Sequence, residues 1–384
     1  MKRLRIVILF FVIIILSITK IYASQGQDDM IKEQQEEFGI QNFLKSSKEY
    51  MGEFFEDVDV NDILQDAMKG EVDNGSLAKR FLSLLGKEFV TSIKALGSIL
   101  AIIVIHSVLK SISESLENDN ISKLIYYVQY ILIITIVLTS FSDIVKMVQD
   151  TTTNLVAFMN MLVPLLITLM MSTGSIATSG VIEPIILFMI NFIGNMIQDV
   201  LLPLIMIFVA LVILSKLSSQ VKIDKLSKFM KSGIVWFLGI ILTIFVGVVS
   251  LEGTMSSSVD GITAKTTKAV VSSAIPVVGK ILGDAVDTVL GCGIILKNAI
   301  GLVGVIIILG ICIVPIIKLS LMTILYKLLA GITQPIADEK ITSLLEQIGD
   351  IFKMFLAILS SISFMIIIGT TLVLKISNSG MMYR

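Results

Sequence analysis

Leu201-Leu-Pro-Leu-Ile205 and Ile313-Val-Pro-Ile-Ile317 each set a proline inside an apolar run. Each follows another proline by 39 residues: Pro164, in Met161-Leu-Val-Pro-Leu-Leu166, precedes Pro203, and Pro276, in Ser273-Ala-Ile-Pro-Val-Val278, precedes Pro315. What comes next is also shared. A mostly apolar stretch leads to a charged segment and then to a final apolar segment, Ile234–Val249 in one case and Phe355–Leu374 in the other. The chain has six prolines, so the spacing alone is a weak signal, and the shared surroundings carry the reading. Two related membrane units meeting at a central site is an arrangement common in proteins that move solutes. Pro164, Pro203, Pro276 and Pro315 are therefore candidate helix-break or pore positions.

Composition sets the class. Of 384 residues, 55% are hydrophobic and 16% charged, with a mean hydropathy of +0.91. A soluble domain carries about 25% charged residues and could not hide this much apolar side chain. The expectation is an all-α, polytopic membrane protein. A net charge of −1 gives no electrostatic reason to expect a nucleic-acid partner. Cys292 and Cys312 lie in apolar sequence and read as buried, inert thiols. The single histidine, His106, sits near the end of the first membrane segment and reads as a partnered or interfacial group. The sequence carries no Walker A phosphate loop and no HExxH, CxxC or GxSxG motif. Nothing in it points to an enzyme, a metal or a cofactor.

The N-terminus has the form of a targeting segment. Lys2, Arg3 and Arg5 precede the apolar run Ile6–Leu16, and Ile21-Tyr-Ala23 offers a cleavage site. Residues 1–23 read as a Sec signal peptide, with an uncleaved anchor as the alternative. Either one places the following segment outside the cytoplasm. Residues 24–90 carry fifteen Asp and Glu against seven Lys and Arg. Apolar residues recur there at helical spacing, among them Phe54, Phe55, Leu64, Leu77 and Leu84, with Asp73-Asn-Gly75 as a turn. Two or three short amphipathic helices, lying near the membrane or against a partner, are expected.

Apolar segments follow at about 95–109, 124–141, 155–171, 181–197, 200–215, 233–250, 293–311, 312–330 and 353–374. Several fall short of the ~20 residues of a perpendicular span, so neighbours can merge or re-enter, and seven to nine spans are expected. The first two membrane helices fall in 91–154, repeat unit 1 in 155–250, a polar central segment in 251–292, and the rest of unit 2 with the tail in 293–384. Loop 216–232 carries Lys216, Lys222, Lys225, Lys228 and Lys231 against Asp224, which places it in the cytoplasm. Loop 331–350 has Asp338, Glu339, Glu346 and Asp350 against Lys340, and the tail carries Lys375 and Arg384. These charges favour loop 331–350 outside and the tail inside, which would invert unit 2 relative to unit 1. If Val270–Gly291 spans, the units are instead parallel.

The central segment mixes small, polar and charged residues. Gly279 and Gly283 have the GxxxG spacing that lets helices approach closely, and Lys280 and Asp284 are an i,i+4 pair. A re-entrant or pore-lining element and an ordinary loop with one interfacial helix both fit. Ionisable residues within apolar runs cost roughly 2.5–3.5 kcal/mol each at a helix centre. Glu183 and Asp199 lie near segment ends, and Lys297 has a stem long enough to snorkel. Lys318, three residues after Pro315, is the strongest candidate for a polar path or an acid partner. Asn160, Asn191, Asn195 and Gln198 read as ties between helices.

The stretch Gly253-Thr-Met-Ser-Ser-Ser-Val-Asp-Gly-Ile-Thr-Ala-Lys-Thr-Thr-Lys268, continued through Ser272-Ser-Ala-Ile-Pro-Val-Val-Gly-Lys-Ile-Leu-Gly-Asp-Ala-Val-Asp-Thr-Val-Leu-Gly291, is the distinctive part of the chain. With the signal peptide and the acidic region, it makes the whole chain resemble the stage III sporulation protein AE family of endospore-forming bacteria. The resemblance implies a multi-pass protein made in the mother cell and placed in the membrane around the engulfed forespore. It further implies a channel complex with the other proteins of the same operon and a forespore-side partner, supporting late forespore gene expression. The family has no established catalytic residues. A self-sufficient secondary transporter and a non-conducting scaffold remain as alternatives.

Overall fold

The computed structural model describes residues 28–55, 58–69, 74–115, 119–217, 224–255 and 278–379. The signal-peptide segment 1–23, Pro276 and residues 256–277 of the central segment lie outside the described residues. The described chain is all helix. Three short helices come first: α1 (Asp28–Glu37), α2 (Ile40–Ser47) and α3 (Val60–Lys69). Long helices follow: α4 (Asn74–Ser115), α5 (Asp119–Ser172), α6 (Ile176–Asn195), α7 (Leu202–Leu217), α8 (Asp224–Met255), α9 (Val278–Thr333) and α10 (Glu339–Ser379). A π-helical turn, Met196–Leu201, joins α6 to α7 without a break.

Among the described residues, six helices are long and apolar enough to cross a membrane, the joined α6–α7 counting as one. Segments that hydropathy separates have merged: 124–141 with 155–171 in α5, 181–197 with 200–215 in α6–α7, and 293–311 with 312–330 in α9. The merged helices are far longer than one bilayer. The apolar span of α5 covers 49 residues and that of α9 covers 46, about 74 and 69 Å at 1.5 Å per residue, against a hydrocarbon core of ~30 Å.

Contacts fix the direction of every long helix. Lys110 near the end of α4 meets Asp338 in the α9–α10 turn at 2.5 Å. The Tyr126 hydroxyl near the start of α5 donates to the Lys216 carbonyl at the end of α7, at 3.0 Å. Asp350 of α10 pairs with Lys231 of α8 and, at 2.5 Å, with Lys327 of α9. All these groups share one end of the molecule. At the other end, Gly293 of α9 lies against Ser172, the last residue of α5, and Thr173 just after it, and Gly301 lies against Leu374 of α10. The bundle is therefore three antiparallel pairs, α4/α5, α6–α7/α8 and α9/α10, all turning at the same end.

This arrangement corrects the preference for an inverted second unit. Segment 331–350 lies beside Lys216 and Lys231, through Tyr126 and Asp350, and the two helix pairs run parallel. The parallel order arises because 293–311 and 312–330 form one helix rather than two spans. The acidity of loop 331–350 has a local cause. Asp338 and Asp350 are counter-ions for Lys110, Lys231 and Lys327, which belong to other helices.

The acidic region packs against the molecule itself. Ile40, Phe43, Leu44, Phe54, Phe55, Val60 and Leu64 are buried. Phe43 and Tyr50 contact Phe158 in the second half of α5, with ring centroids 6.1 and 5.7 Å apart. Phe55 covers Gly310, midway along α9, and the Gln34 side chain donates to the Val289 carbonyl at 3.3 Å. Burying each such aromatic ring contributes about 1.5–3 kcal/mol. Gly52 has φ +60°, in the left-handed region that favours glycine, and passes close to the Gly310 carbonyl. Residues 74–90, expected within the acidic region, already belong to α4.

Candidate functional site: a polar waist

The merged helices carry their polar residues halfway along. In α5 the sequence from Ser142 to Asn154 includes Asp143, Lys146, Gln149, Asp150 and four consecutive hydroxyl or amide residues, Thr151 to Asn154. Helix continues through this stretch because its local preferences are met on both faces. Val148 and Leu155 are buried inward, while Asp143, Lys146, Asp150, Thr153 and Asn154 point outward and are exposed. The Thr151 and Thr152 hydroxyls donate to carbonyls one turn back, at 2.6 and 2.8 Å, so neither is left unpaired.

The turn Lys48–Phe55 of the N-terminal region stands over this stretch. Between them lies an open cleft of about 360 Å³, lined by Glu49, Tyr50, Asp143, Lys146, Asp150 and Asn154 among others. The cleft is polar and roomy enough for water.

The same level holds the π turn. Pro203 has no N–H, and its ring would collide with the carbonyl of Asp199 in a regular helix. The π turn re-routes the bonding, with the Leu202 N–H donating to the Ile197 carbonyl five residues back. It also turns Gln198 toward α5, where its Nε2 donates to the Thr153 hydroxyl at 3.1 Å. Above it, Asn160 of α5 and Asn191 of α6 exchange two amide hydrogen bonds, at 3.2 and 2.9 Å. Gln198, Asn160 and Asn191 thus tie helices together as their sequence positions suggest. Asn195 and Asp199 are exposed.

The remaining singled-out residues scatter. Pro164 lies in α5, one turn beyond Asn160, and Pro315 lies inside α9. Gly279, Lys280, Gly283 and Asp284 fall in the first turns of α9, and their side chains lie outside what is described. Lys318 is half-buried in α9. Lys297 does not snorkel: it is fully buried and its Nζ donates to the Leu374 carbonyl of α10 at 3.3 Å. Glu183 is half-buried in α6, next to Pro184. Cys292 and Cys312 are free and buried, and Cys312 lies 2.9 Å from the Ser363 hydroxyl. His106 is buried, with Nε2 3.8 Å from Asp338.

Close glycine contacts occur further along α9, at glycines that the sequence does not single out. A Cβ on Gly301 would stand 2.2 Å from Leu374, one on Gly304 2.5 Å from Leu162, and one on Gly310 2.7 Å from Phe55. These glycines let α10, α5 and the N-terminal region approach α9 closely. The signal was available: three glycines at irregular spacing in an otherwise β-branched helix, which nothing but close packing favours.

Comparison with known proteins adds what geometry cannot. The family model for stage III sporulation protein AE matches residues 58–377. The chain is 29% identical over 399 residues to the stage III sporulation protein AE of Bacillus subtilis (strain 168), and the match covers the whole of both chains. No solved structure matches.

Proposed function

The chain belongs to the stage III sporulation protein AE family, and on that premise we propose that it is the integral membrane subunit of a transenvelope channel or export complex between mother cell and forespore. The observation that carries this reading is the polar waist. Long apolar helices that put carboxylates, amides and a water-sized cleft at mid-length are suited to a conduit rather than to a simple anchor. The chain has no catalytic role in this reading. It sits in the mother-cell membrane around the forespore, with the lysine-rich turning end in the cytoplasm and the mature N-terminus outside it. Its partners are the other proteins of the same operon and a membrane protein on the forespore side. The complex supports late forespore gene expression. A clean deletion should arrest development after engulfment, and a deletion strain that makes heat-resistant spores at normal yield would end this reading.

A self-sufficient secondary transporter is the second reading, favoured by the buried Lys297, since intramembrane lysines often mark solute or ion sites. Purified protein in liposomes should then drive solute uptake from an ion gradient with no other chain present. Uptake that needs the partner proteins favours the channel complex. A non-conducting scaffold predicts neither.

A further inference from the structure

One face of α5 stays polar well beyond the waist. Asp143, Lys146, Asp150, Thr153, Asn160 and Thr168 follow one another at steps of three, four, three, seven and eight residues, and all six are exposed. Such steps keep residues on one side of a helix. From Asp143 to Thr168 the row runs about 37 Å along the axis, close to the thickness of a bilayer core. Beside it, α6 and the π turn add Asn191, Asn195, Gln198 and Asp199. The surroundings are apolar: Val181 and Phe188 on α6, and Ile207 on α7, are more than half exposed.

Backbone chemistry points the same way. Pro164 lies on this row, and it brings no N–H to the Asn160 carbonyl one turn below. The Asn160 and Asn191 amides exchange two hydrogen bonds and Asn191 gives its second N–H to the Leu187 carbonyl, so the capacity left over is mainly that of the exposed Asn160. At its lower end the row opens into the cleft lined by Glu49, Asp143, Lys146 and Asp150. Thr153 and Thr168 have partners within the protein, but hydrocarbon against Asp143, Lys146, Asp150 and Asn160 would strip their water at several kcal/mol each.

We propose that this seam between α5 and α6 is the wall of the water-filled path, and that the solute passing along it is small, polar and hydrated. The proposal rests on the channel reading and deepens it. It assigns the path to the outer surface of the single chain, so neighbouring subunits of the complex must close it.

The test compares two kinds of exposed position at one depth. Single cysteines are introduced by Thr153→Cys, Asn160→Cys, Thr168→Cys and Phe188→Cys into the full chain, with Cys292 and Cys312 replaced by alanine, in sporulating cells. Only variants that still support spore formation are scored. Thr153→Cys and Thr168→Cys carry the test if Asn160→Cys fails to accumulate. A charged, membrane-impermeant thiosulfonate should modify the seam cysteines on the order of tenfold faster than Phe188→Cys, while a permeant maleimide modifies all of them. Seam cysteines as slow as Phe188→Cys with the charged reagent overturn the proposal. Equal fast reaction at Phe188→Cys also overturns it, because that half of the bundle would then stand in water on every side. Oxidative cross-linking of seam cysteines between neighbouring chains overturns it too, as the seam would be a contact. In each of these cases the channel reading survives if deletion still blocks sporulation.

Discussion

Lys231 of α8 and Asp350 of α10 form an ion pair although 119 residues separate them in the chain. The pair ties the start of one helix to the start of another, and Lys327 of α9 joins it from a third. The lysine-rich loop and the acidic loop are therefore neighbours on one side of the membrane. Reporter fusions test this directly. A fluorescent protein inserted near residue 220 and one inserted near residue 336 should both fold and fluoresce, as cytoplasmic fusions do. A periplasm-type phosphatase at the same two sites should be inactive. Opposite behaviour at the two sites would contradict the parallel order of the helix pairs.

The same pair supports an energetic prediction. The Lys231 and Asp350 side chains are 43% and 21% exposed, so solvent screens their attraction and it is worth on the order of 1 kcal/mol. Lys231→Asp sets two acids side by side and should cost more than Lys231→Ala. The exchange Lys231→Asp with Asp350→Lys restores one attraction but confronts Lys327 with a new lysine, so it should recover only part of the loss. Thermal unfolding of the purified chain in detergent reads these differences. Full recovery in the exchanged variant would mean that Lys327 takes no part.

Which features could be read from sequence follows from what each one depends on. Apolar runs depend on composition, so α4 to α10 are visible in hydropathy. Helix continuity through Ser142–Asn154 is not visible, because a hydropathy window records Asp143, Lys146 and Asp150 as an interruption. Tertiary contacts add to the local ones there: Gln198 donates to Thr153, and just beyond the stretch Tyr50 and Phe43 pack at a tilt on Phe158. The orientation of loop 331–350 was hidden for a similar reason, since positive-inside counting does not see that Asp338 and Asp350 answer lysines from distant segments. The Asn160–Asn191 tie was legible because an amide in an apolar run has few other uses. The close contacts at Gly301, Gly304 and Gly310 are not legible in their spacing, since spacing alone does not tell which face of a helix meets a neighbour.

Asp59 gives the one pH-dependent expectation outside the membrane helices. The Asn61 backbone N–H donates to its carboxylate at 3.0 Å, the Asn61 side chain adds a second bond, and Lys48 lies 3.4 Å away. The Asn61 backbone bond is the largest cause holding the Asp59 carboxyl below the usual carboxylate range. A depressed carboxyl stabilises the fold above its unfolded pKa, and that contribution is lost as pH falls through the folded value. Hydrogen exchange at the start of α3 should therefore speed up on acidification beyond the intrinsic pH dependence of exchange. In Asp59→Asn the acid-dependent part should disappear. An unchanged profile in that variant would assign the effect to another carboxylate.

Gly310 decides whether the N-terminal region stays docked. A Cβ there would meet the Phe55 ring at 2.7 Å and the Met51 carbonyl at 3.1 Å. The ring can shift, but the carbonyl belongs to a turn whose Gly52 already occupies a positive φ. Gly310→Ala should cost about 1–3 kcal/mol of docking, and Gly310→Leu should release the region altogether. Limited proteolysis reads the outcome: cleavage within 28–69 should accelerate while the long helices stay intact. Equal proteolysis of Gly310→Leu and the parent would show that the contact with α9 contributes nothing.

Gly304 and Leu162 test whether close packing of α9 on α5 holds the bundle together. Leu162 is fully buried, and a Cβ on Gly304 would stand 2.5 Å from its Cδ2 and 3.0 Å from its Cδ1. Both methyls are involved, so no single rotation of the leucine clears the space. Gly304→Ala should therefore destabilise by about 1–3 kcal/mol through overpacking, and Leu162→Ala by about 2–5 kcal/mol through the cavity it leaves. The two changes occupy the same volume with opposite sign. Together they should cost less than their sum by on the order of 1 kcal/mol or more, because the new methyl fills part of the space the leucine vacates. Between helices in lipid, where tails are as apolar as leucine, such packing is a principal source of association. A double variant whose unfolding in detergent matches the plain sum would show that α9 and α5 are not in contact at this point.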